Sequence, residues 1–463
     1  MAKTNIIFRH LFAVCMGIAL LSILTRTGYG CALLVVVVIG WLCYQKTIPH
    51  FTIILFILGL LIRLVVMIWV QPPLESDFLT LYNAAQKVLV GDNSFQHIAY
   101  YTLWAYQTAF VLWEAFWLNL WNDPNCLKLV HAVLASGTVC LLYRIIRCYS
   151  GDRAARGAVL LLTVLPFGST WHVVLSNQIP SAFFFVLGLW LLACEDCYRL
   201  GFLRFPLTGA VFQIGNLLRC EGVILLVAVA AWSVFEVLTD KKSIKRLMAG
   251  VLVLVTVYGA AGGAADWAVR ATGWNRNGLK NGIPIWKLVC GMNMESEGGY
   301  SGTSWTELEL TLNEQHQATE ETQRTALRLI RENGPHSFEE VIAHFGAKIK
   351  RLWCGDALYW AYREKLAKDP DAKWYTCLLE FNLGVFCAAF MLALLGLLKL
   401  HRRSTAAYLP YFVCFSSFCA FLIVEAQPRY VYLPQLFVFA ASACGLEHVL
   451  AGCFLPRDGE KYK

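Results

Sequence analysis

Long apolar runs recur along almost the whole chain and limit its possible folds more than any other feature. A helix that crosses a bilayer needs about 20 mostly apolar residues. Twelve runs approach that length: 11–25, 31–45, 51–71, 127–147, 157–175, 180–196, 206–219, 222–238, 247–269, 376–399, 406–424 and 430–452. Charged residues make up only 15% of the 463 residues, whereas soluble proteins carry roughly 25%. We therefore expect an all-α polytopic membrane protein with about 12 transmembrane helices.

The distribution of Lys and Arg between the short loops predicts the orientation. Cytosolic loops of membrane proteins are enriched in these two residues, and four segments stand out: 144–156, 199–204, 241–246 and 399–403. With the N-terminus inside and twelve spans, all four segments and the C-terminal tail fall on the cytosolic side. The loop 72–126 and the polar region 270–375 are then external.

An aromatic stretch at residues 100–121, YYTLWAYQTAFVLWEAFWLNLW, would disturb this topology if it crossed the membrane. The arginines between Arg144 and Arg156 would then become external. We predict instead external juxtamembrane helices that lie on or dip into the outer leaflet, where Trp and Tyr are enriched.

The chain accordingly divides into three parts. Residues 1–269 form a transmembrane module, 270–375 a small, mainly helical external domain, and 376–463 the C-terminal transmembrane helices with a cytosolic tail. Within the external domain, residues 306–333 have the pattern of one amphipathic helix, and Ser337 marks the start of another helix.

Polar side chains cluster in turns that this orientation places on the external face. Such groups are costly at membrane depth and usually have a function. The turns contain Glu75 and Asp77 after the third run, Asn177 and Gln178 between the fifth and sixth, Arg219 and Glu221 between the seventh and eighth, and Glu425, Gln427, Arg429 and Tyr430 between the last two. We expect these residues to converge on one site.

The residue types in these turns indicate acid–base chemistry and anion binding. A carboxylate can take the proton of an acceptor hydroxyl as a new bond forms, and arginine binds phosphate through its planar fork of donors. Structural interpretations remain open. Asp77 could cap a helix that starts near Leu79; Arg219 and Glu221 could be an ion pair that closes a turn; Arg429 could extend to the membrane interface.

Common nucleotide and metalloprotease motifs, including the Walker A loop and H-E-x-x-H, are absent from the sequence. An enzyme working on the external face has no nucleotide supply, so an activated donor would have to arrive on a lipid. The net charge of +8 reflects membrane topology rather than a nucleic-acid partner.

The order of the motifs resembles that of the GT-C glycosyltransferases, in particular the bacterial branch similar to protein O-mannosyltransferases and aminoarabinose transferases. The resemblance spans residues 51–452. Its motifs are Glu75-Ser76-Asp77-Phe78, the aromatic segment YYTLWAYQTAF, the basic loop RIIRCYSGDRAARG leading into LLTVLPF, the turn Arg219-Cys220-Glu221-Gly222, a soluble domain before the last spans, and Arg429-Tyr430-Val431-Tyr432-Leu433-Pro434.

This resemblance implies a bacterial cell-membrane glycosyltransferase with its active site on the outer face. Its donor is a polyprenyl-phosphate-linked sugar; its acceptor is a polysaccharide, a lipid or a protein; membrane lipids surround it. Asp77, with Glu75 beside it, takes the place of the carboxylate that acts as base or positions the acceptor. Arg429, Arg219 and Tyr430 would bind the donor phosphate.

The residues Glu221, Asn177, Gln178, Glu425 and Gln427 would support the site. Two departures from the family pattern matter. Ser76 separates the two acids, which are adjacent in many members. Asn177 and Gln178 stand where some relatives carry an acid, which weakens the case for a divalent metal. No cofactor is indicated.

A polytopic transporter or lipid-linked-sugar flippase without transferase activity is the alternative. Such a protein needs polar groups near the midplane that are reachable from both sides, often in repeated halves. A non-catalytic scaffold would leave the acids at membrane depth unexplained.

Overall fold

The computed structural model describes residues 48–240, 244–400 and 405–454, and these residues form helices and no β-strand. The α-helices are α1 Phe51–Trp69, α2 Ser76–Leu89, α3 Ala99–Leu103, α4 Thr108–Leu118, α5 Pro124–Ser150, α6 Asp152–Val164, α7 Pro166–Thr170, α8 Gln178–Ala193, α9 Arg204–Leu218, α10 Gly222–Asp240, α11 Ile244–Ala271, α12 Trp286–Met292, α13 Gly302–Glu309, α14 Glu320–Asn333, α15 Phe338–Cys354, α16 Tyr359–Lys368, α17 Lys373–Lys399, α18 Leu409–Ile423 and α19 Tyr432–Phe454. The predicted all-α class is confirmed.

Six of the described helices are long and apolar enough to cross a membrane. They are α1, α5, Gly222–Thr239 of α10, α11, α17 and the segment Thr405–Ile423 that contains α18. Two bent helix pairs raise the number to eight if each pair is one span. The protein is therefore an integral, multi-pass membrane protein. The predicted runs 11–25 and 31–45 lie outside the described residues, so the total of twelve stays a prediction.

One bent pair replaces the predicted straight span over 157–175. Helix α6 meets Pro166–Val174 at an angle of 65°. Leu165 has an extended backbone, with ψ at 122°, as expected for a residue that precedes proline. The bend ends in a buried turn that leads directly to Asn177 and Gln178.

The transmembrane helices approach one another closely where glycine replaces a side chain. Helix α17 packs along α19, and a Cβ on Gly445 would lie 1.8 Å from the carbonyl oxygen of Leu392. A substitution there would force the two helices apart. Helix α19 follows directly on the turn 424–431, on which four predicted site residues lie.

The aromatic stretch 100–121 does not form one long helix. It breaks at Trp104 into the short helices α3 and α4, of 5 and 11 residues, and both are too short to span a bilayer. A residue at the break contacts another part of the chain: the Leu103 carbonyl accepts a hydrogen bond of 2.7 Å from the Gly282 N–H. This contact ties the first loop to the region 270–375.

The amphipathic helix predicted over 306–333 is wrong as a single helix. Helix α13 ends at Glu309, and α14 begins at Glu320 behind a capping box formed by Thr319 and Thr322. The cap satisfies backbone N–H groups that a continuous helix would have paired internally. By contrast, Ser337 caps α15 as predicted, accepting a hydrogen bond of 3.1 Å from the Glu340 N–H.

A buried lysine attaches the region 270–375 to the turn that follows α18. Lys348 of α15 has 0% exposure and donates to the carbonyl oxygens of Gly291, Leu422 and Val424 at 2.8, 2.7 and 2.8 Å. Burial lowers the pKa of Lys348 to about 8. The three carbonyls are the kind of compensation that a buried ammonium requires, and they fix the turn 424–431 against α15.

Candidate functional site

The predicted site residues lie on separate elements of the chain, and the structure links all of them into one network. They come from the start of α2, the turn before α8, the turn between α9 and α10, and the turn between α18 and α19. The predicted residues that it joins are Glu75, Asp77, Asn177, Gln178, Arg219, Glu221, Glu425, Gln427, Arg429 and Tyr430. One link is indirect, because the Glu75 side chain approaches the others through Arg363 and Trp360, which the sequence analysis did not single out.

The start of α2 holds the two predicted carboxylates in different environments. Glu75 precedes the helix and forms an ion pair of 2.5 Å with Arg363 of α16. Asp77 lies in the first turn, where a carboxylate is stabilised by the helix dipole. Its side chain is 47% exposed, and its nearest cation is the Arg429 Nη2 at 3.7 Å.

The helix begins at Ser76, earlier than the start near Leu79 that would make Asp77 a cap, and no side chain caps it. Ser76 has a φ of 54°, a left-handed conformation that is uncommon for a residue other than glycine. This turn separates the directions of Glu75 and Asp77. Asp77 is therefore a half-exposed carboxylate without a hydrogen-bond donor among the described residues.

The turn between α18 and α19 is built around Glu425, whose side chain is 2% exposed. Its carboxylate pairs with Lys287 and accepts hydrogen bonds from the Tyr430 hydroxyl at 2.9 Å and the Gln427 amide at 2.6 Å. Burial disfavours the charged form, but Lys287 and these donors outweigh it and lower the pKa of Glu425 to about 2. Glu425 is thus a fixed negative charge.

Gln427 transmits this arrangement to Arg429. Its amide oxygen accepts a hydrogen bond of 2.7 Å from the Arg429 Nε, which leaves the far end of the guanidinium directed at Asp77. The backbone carbonyl of Arg429 accepts from the side-chain amide of Gln178. Gln178 also accepts a hydrogen bond of 2.8 Å from the Trp171 indole. Gln178 is therefore a positioning residue for the turn.

Arg219 occupies the centre of the network. It pairs with Glu221, donates to the Asn177 side-chain oxygen at 3.1 Å, and lies 5.0 Å from the centre of the Tyr430 ring. The ion pair that the sequence left open is present, since Glu221 follows Arg219 by two residues in a tight turn. The same guanidinium also faces Tyr430, so the ion pair does not exclude a role in binding an anion.

Lys287, near the start of the region 270–375, is a candidate site residue that the sequence analysis missed. Its ammonium pairs with Glu425, lies 3.3 Å from the Tyr430 hydroxyl and 5.8 Å from the ring centre. Burial alone would lower the pKa of Lys287, but Tyr430 and Glu425 raise it above its usual value. A single lysine within the apolar run IPIWKLVC was the available signal.

Arg363 and Trp360 of α16 were also missed. Arg363 binds Glu75 and lies 5.2 Å from the centre of the Trp360 ring. Arg429 lies 6.0 Å from the same ring, at the outer limit of a cation–π contact. Among the described residues, the Glu75 side chain therefore contacts the site through Arg363 and Trp360. No pattern in the sequence paired α16 with the start of α2.

The network balances its charges almost pairwise, and within the described residues no group of three or more His, Cys, Asp or Glu side chains is placed to hold a metal ion. Four cations face four carboxylates: Arg363 with Glu75, Arg429 with Asp77, Arg219 with Glu221, and Lys287 with Glu425. The Asp77 pair is the longest of the four at 3.7 Å. A half-exposed carboxylate and a guanidinium are therefore adjacent and loosely joined.

Comparison with known proteins gives a family for part of the chain. Residues 120–260 match the family model described as dolichyl-phosphate-mannose-protein mannosyltransferase. No curated protein matches the sequence.

Three solved structures are similar to this fold. The archaeal oligosaccharyltransferase AglB from Archaeoglobus fulgidus, in complex with an inhibitory peptide and a dolichol-phosphate, has a TM-score of 0.49 at 14% identity, over 89% of this chain and 53% of that chain. An apo oligosaccharyltransferase from Archaeoglobus fulgidus gives 0.49 at 13%, over 88% and 51%. ArnT from Cupriavidus metallidurans, bound to undecaprenyl phosphate, gives 0.37 at 14%, over 87% and 78%. The chain spans about half the length of the two archaeal proteins.

The family match falls on α5 to α11, which carry the basic loop, the turn with Asn177 and Gln178, and the turn with Arg219 and Glu221. Two of these features, the basic loop and the turn with Arg219 and Glu221, are among those on which the resemblance was based, whereas Asn177 and Gln178 were a departure from the family pattern. The resemblance is confirmed: the chain is similar to the GT-C glycosyltransferases that use polyprenyl-phosphate sugars.

Proposed function

We propose that this protein transfers a sugar from a polyprenyl-phosphate donor to an acceptor hydroxyl on the external face of the membrane. The observation that carries the proposal is the pairing of Asp77 with Arg429. A half-exposed carboxylate without a hydrogen bond lies 3.7 Å from a guanidinium whose other end is fixed. Transfer from a lipid phosphate needs these two groups next to each other.

Asp77 is the base in this mechanism. The acceptor hydroxyl attacks the anomeric carbon, a bond forms between the acceptor oxygen and that carbon, and the hydroxyl proton passes to the Asp77 carboxylate. The bond from the anomeric carbon to the phosphate oxygen breaks, and the electron pair leaves with the polyprenyl phosphate. A single displacement of this kind inverts the anomeric centre.

The leaving phosphate gains negative charge during this step, so a nearby cation stabilises the transition state. Arg429 lies closest to Asp77, and Arg219 lies 5.0 Å from the ring centre of Tyr430, the residue next to Arg429. Their planar donors suit phosphate better than an ammonium does. The Tyr430 hydroxyl, held between Lys287 and Glu425, adds a donor or acceptor at the same place.

Transfer of radiolabelled sugar from a defined polyprenyl-phosphate sugar by the purified protein tests the proposal against the transporter alternative. The reaction needs the lipid-linked donor, a hydroxyl acceptor and no nucleotide. Labelled product without ATP supports transfer. If the labelled lipid crosses reconstituted vesicles unchanged, and no acceptor becomes labelled, the protein is a flippase.

The external location of the site is tested separately by labelling with an impermeant thiol reagent in sealed cells. Ser243→Cys and Glu314→Cys are each placed in a background without reactive native thiols. We expect labelling at position 314 only. Labelling at 243 with none at 314 would reverse the topology and place the site on the cytosolic side.

A further inference from the structure

A small cavity adjoins the proposed site on the side of the external region. Its volume is about 180 Å³, below the ~300–1,000 Å³ that is typical of pockets for drug-sized ligands. It suits a group of roughly one sugar ring. Among its lining residues are Tyr300, Arg351, Asp356, Trp360, Gln427 and Arg429. Arg429 is therefore shared between this cavity and the Asp77 pair.

The guanidinium groups of the lining are held by neutral partners and by distant acids. Arg351 donates to the carbonyl oxygens of Ala426 and Ser296, both at 3.1 Å, and the Glu297 carboxylate, which is 59% exposed, lies 3.9 Å away. Its Nη2 has no hydrogen-bond acceptor among the described residues. Backbone carbonyls thus hold the Nε and Nη1 of Arg351 in place, and its Nη2 remains available to a ligand.

Asp356 is the acid in the lining, and its oxygens are already engaged. The Tyr375 hydroxyl lies 2.7 Å from both of them, and the backbone N–H groups of Leu358 and Tyr359 donate to one at 3.0 and 2.9 Å. A carboxylate with these donors has little capacity to accept hydrogen bonds from a ligand. The positively charged donors of the cavity therefore come from arginine.

Two aromatic side chains supply apolar surface beside these charges. Tyr300 is 54% exposed, while Trp360 packs edge-on against Phe78 at 5.5 Å and is flanked by Arg363 and Arg429. The apolar C–H face of a sugar ring can pack against such side chains, which combine a large contact area with few rotatable bonds.

We propose that this cavity binds a negatively charged group of about one sugar ring, carrying a carboxylate or a phosphate, with Arg351 as its charge-specific contact. This inference rests on the proposed function for its purpose, since a ring bound here would lie against Arg429, which also pairs with Asp77. The ring could belong to the transferred sugar or to the acceptor. In both cases the recognition is the same: a bidentate contact from the Arg351 fork to an anionic substituent.

Binding of three free sugars to the full-length protein in detergent tests the inference without any transfer. The probes are glucuronate, glucose 6-phosphate and neutral glucose, measured by saturation-transfer NMR and competition. We expect both anionic sugars to bind at least about tenfold more tightly than glucose, because a charge-assisted bidentate contact is worth roughly 1.5–3 kcal/mol. Arg351→Gln should abolish the difference, and Arg351→Lys should restore part of it.

Two controls separate this result from loss of folding and from failure of the proposed function. Ala357→Leu fills the cavity without changing its charge and should weaken all ring binding, while the melting temperature reports the fold. Binding of undecaprenyl phosphate should be unchanged in Arg351→Gln and weakened in Arg429→Ala. A protein that binds anionic sugars but transfers none would refute the proposed function alone. Equal binding of glucuronate and glucose, or binding unaffected by Arg351→Gln in a folded variant, would overturn the inference.

The source of the anionic ring follows from the transfer assay. If the ring is the transferred sugar, Arg351→Gln raises the KM for a donor that carries an anionic sugar. If the ring is the acceptor, the same variant raises the KM for an anionic acceptor and leaves the donor KM unchanged. A lower kcat with both KM values unchanged would contradict a binding role for Arg351.

Discussion

The start of α2 and the turn after α18 each contribute a carboxylate to the same network, yet the two carboxylates differ in almost every respect. Glu425 is 2% exposed and has a cation and two hydrogen-bond donors. Asp77 is 47% exposed and has a single cation at 3.7 Å. The first carboxylate is held in place by its surroundings, whereas the second remains open to a substrate.

This difference in exposure and hydrogen bonding distinguishes a carboxylate that positions its neighbours from one that can accept a proton. A base must be reachable and must have a free oxygen to accept a proton, which describes Asp77. A residue that orders a turn must instead satisfy all of its own donors and acceptors when buried, which describes Glu425. Glu425, through Gln427, orients Arg429 towards Asp77. The buried carboxylate of Glu425 thus helps to position Arg429 beside the half-exposed carboxylate of Asp77.

The largest effect is expected from Asp77→Asn. The amide is nearly isosteric but cannot take the acceptor proton, so transfer should fall by ~10²–10⁴-fold. The measurement is the rate of sugar transfer at saturating donor, with melting temperature checked in parallel. The matched control is Asp371→Asn, which changes an exposed acid of the region 270–375 and should retain full activity. A stable, near fully active Asp77→Asn protein would move the base to another residue.

Glu425→Gln should change how the stability of the folded protein depends on pH. The folded pKa of about 2 lies below the ordinary 4.5, so the ionised carboxylate stabilises the fold fully above pH 4.5, and this contribution disappears as the pH falls towards 2. The difference corresponds to roughly 3 kcal/mol. Melting temperatures between pH 7 and pH 3 should decline for the wild type and decline less steeply for Glu425→Gln, which has no proton to gain. Parallel curves would contradict the role given to Glu425.

Arg429→Ala should weaken use of the donor. Loss of a charge-assisted contact to phosphate costs about 1.5–3 kcal/mol, or roughly 10–150-fold. Arg429→Lys should restore only part of this, because an ammonium lacks the planar fork. A donor titration with each variant measures the effect, and Arg324→Ala on the exposed face of α14 is the control. If donor dependence and turnover are unchanged in Arg429→Ala, the residue has only a structural role.

The smallest effect is expected from Glu75→Gln. Glu75 and Arg363 are 39% and 30% exposed, and exposed ion pairs are typically worth about 0–1 kcal/mol. Transfer should therefore change by less than about fivefold. A loss of transfer as large as that in Asp77→Asn would show that the two acids act together. Glu75 would then belong, with Asp77, to the carboxylates that take part in the reaction.

The sequence predicted the helical class and the convergence of the polar turns because both depend on local patterns. Apolar runs mark the spans, and a residue such as Arg219 in a short turn can only lie at a helix end. The sequence analysis missed Lys287, Arg363 and Trp360. These residues lie in the region 270–375 and contact the site only after that region has packed against the turns, which no local pattern predicts. The bend at Pro166 was missed because its apolar run continued through it.

A structure of the protein with bound undecaprenyl phosphate tests the central claim most directly. The account predicts that the phosphate lies on the same face as Asp77, with oxygens within about 2.7–3.2 Å of a guanidinium nitrogen of Arg429 or Arg219, beside the Tyr430 ring. A phosphate bound instead among the basic segments 144–156 or 399–403, with neither arginine in contact, would contradict it.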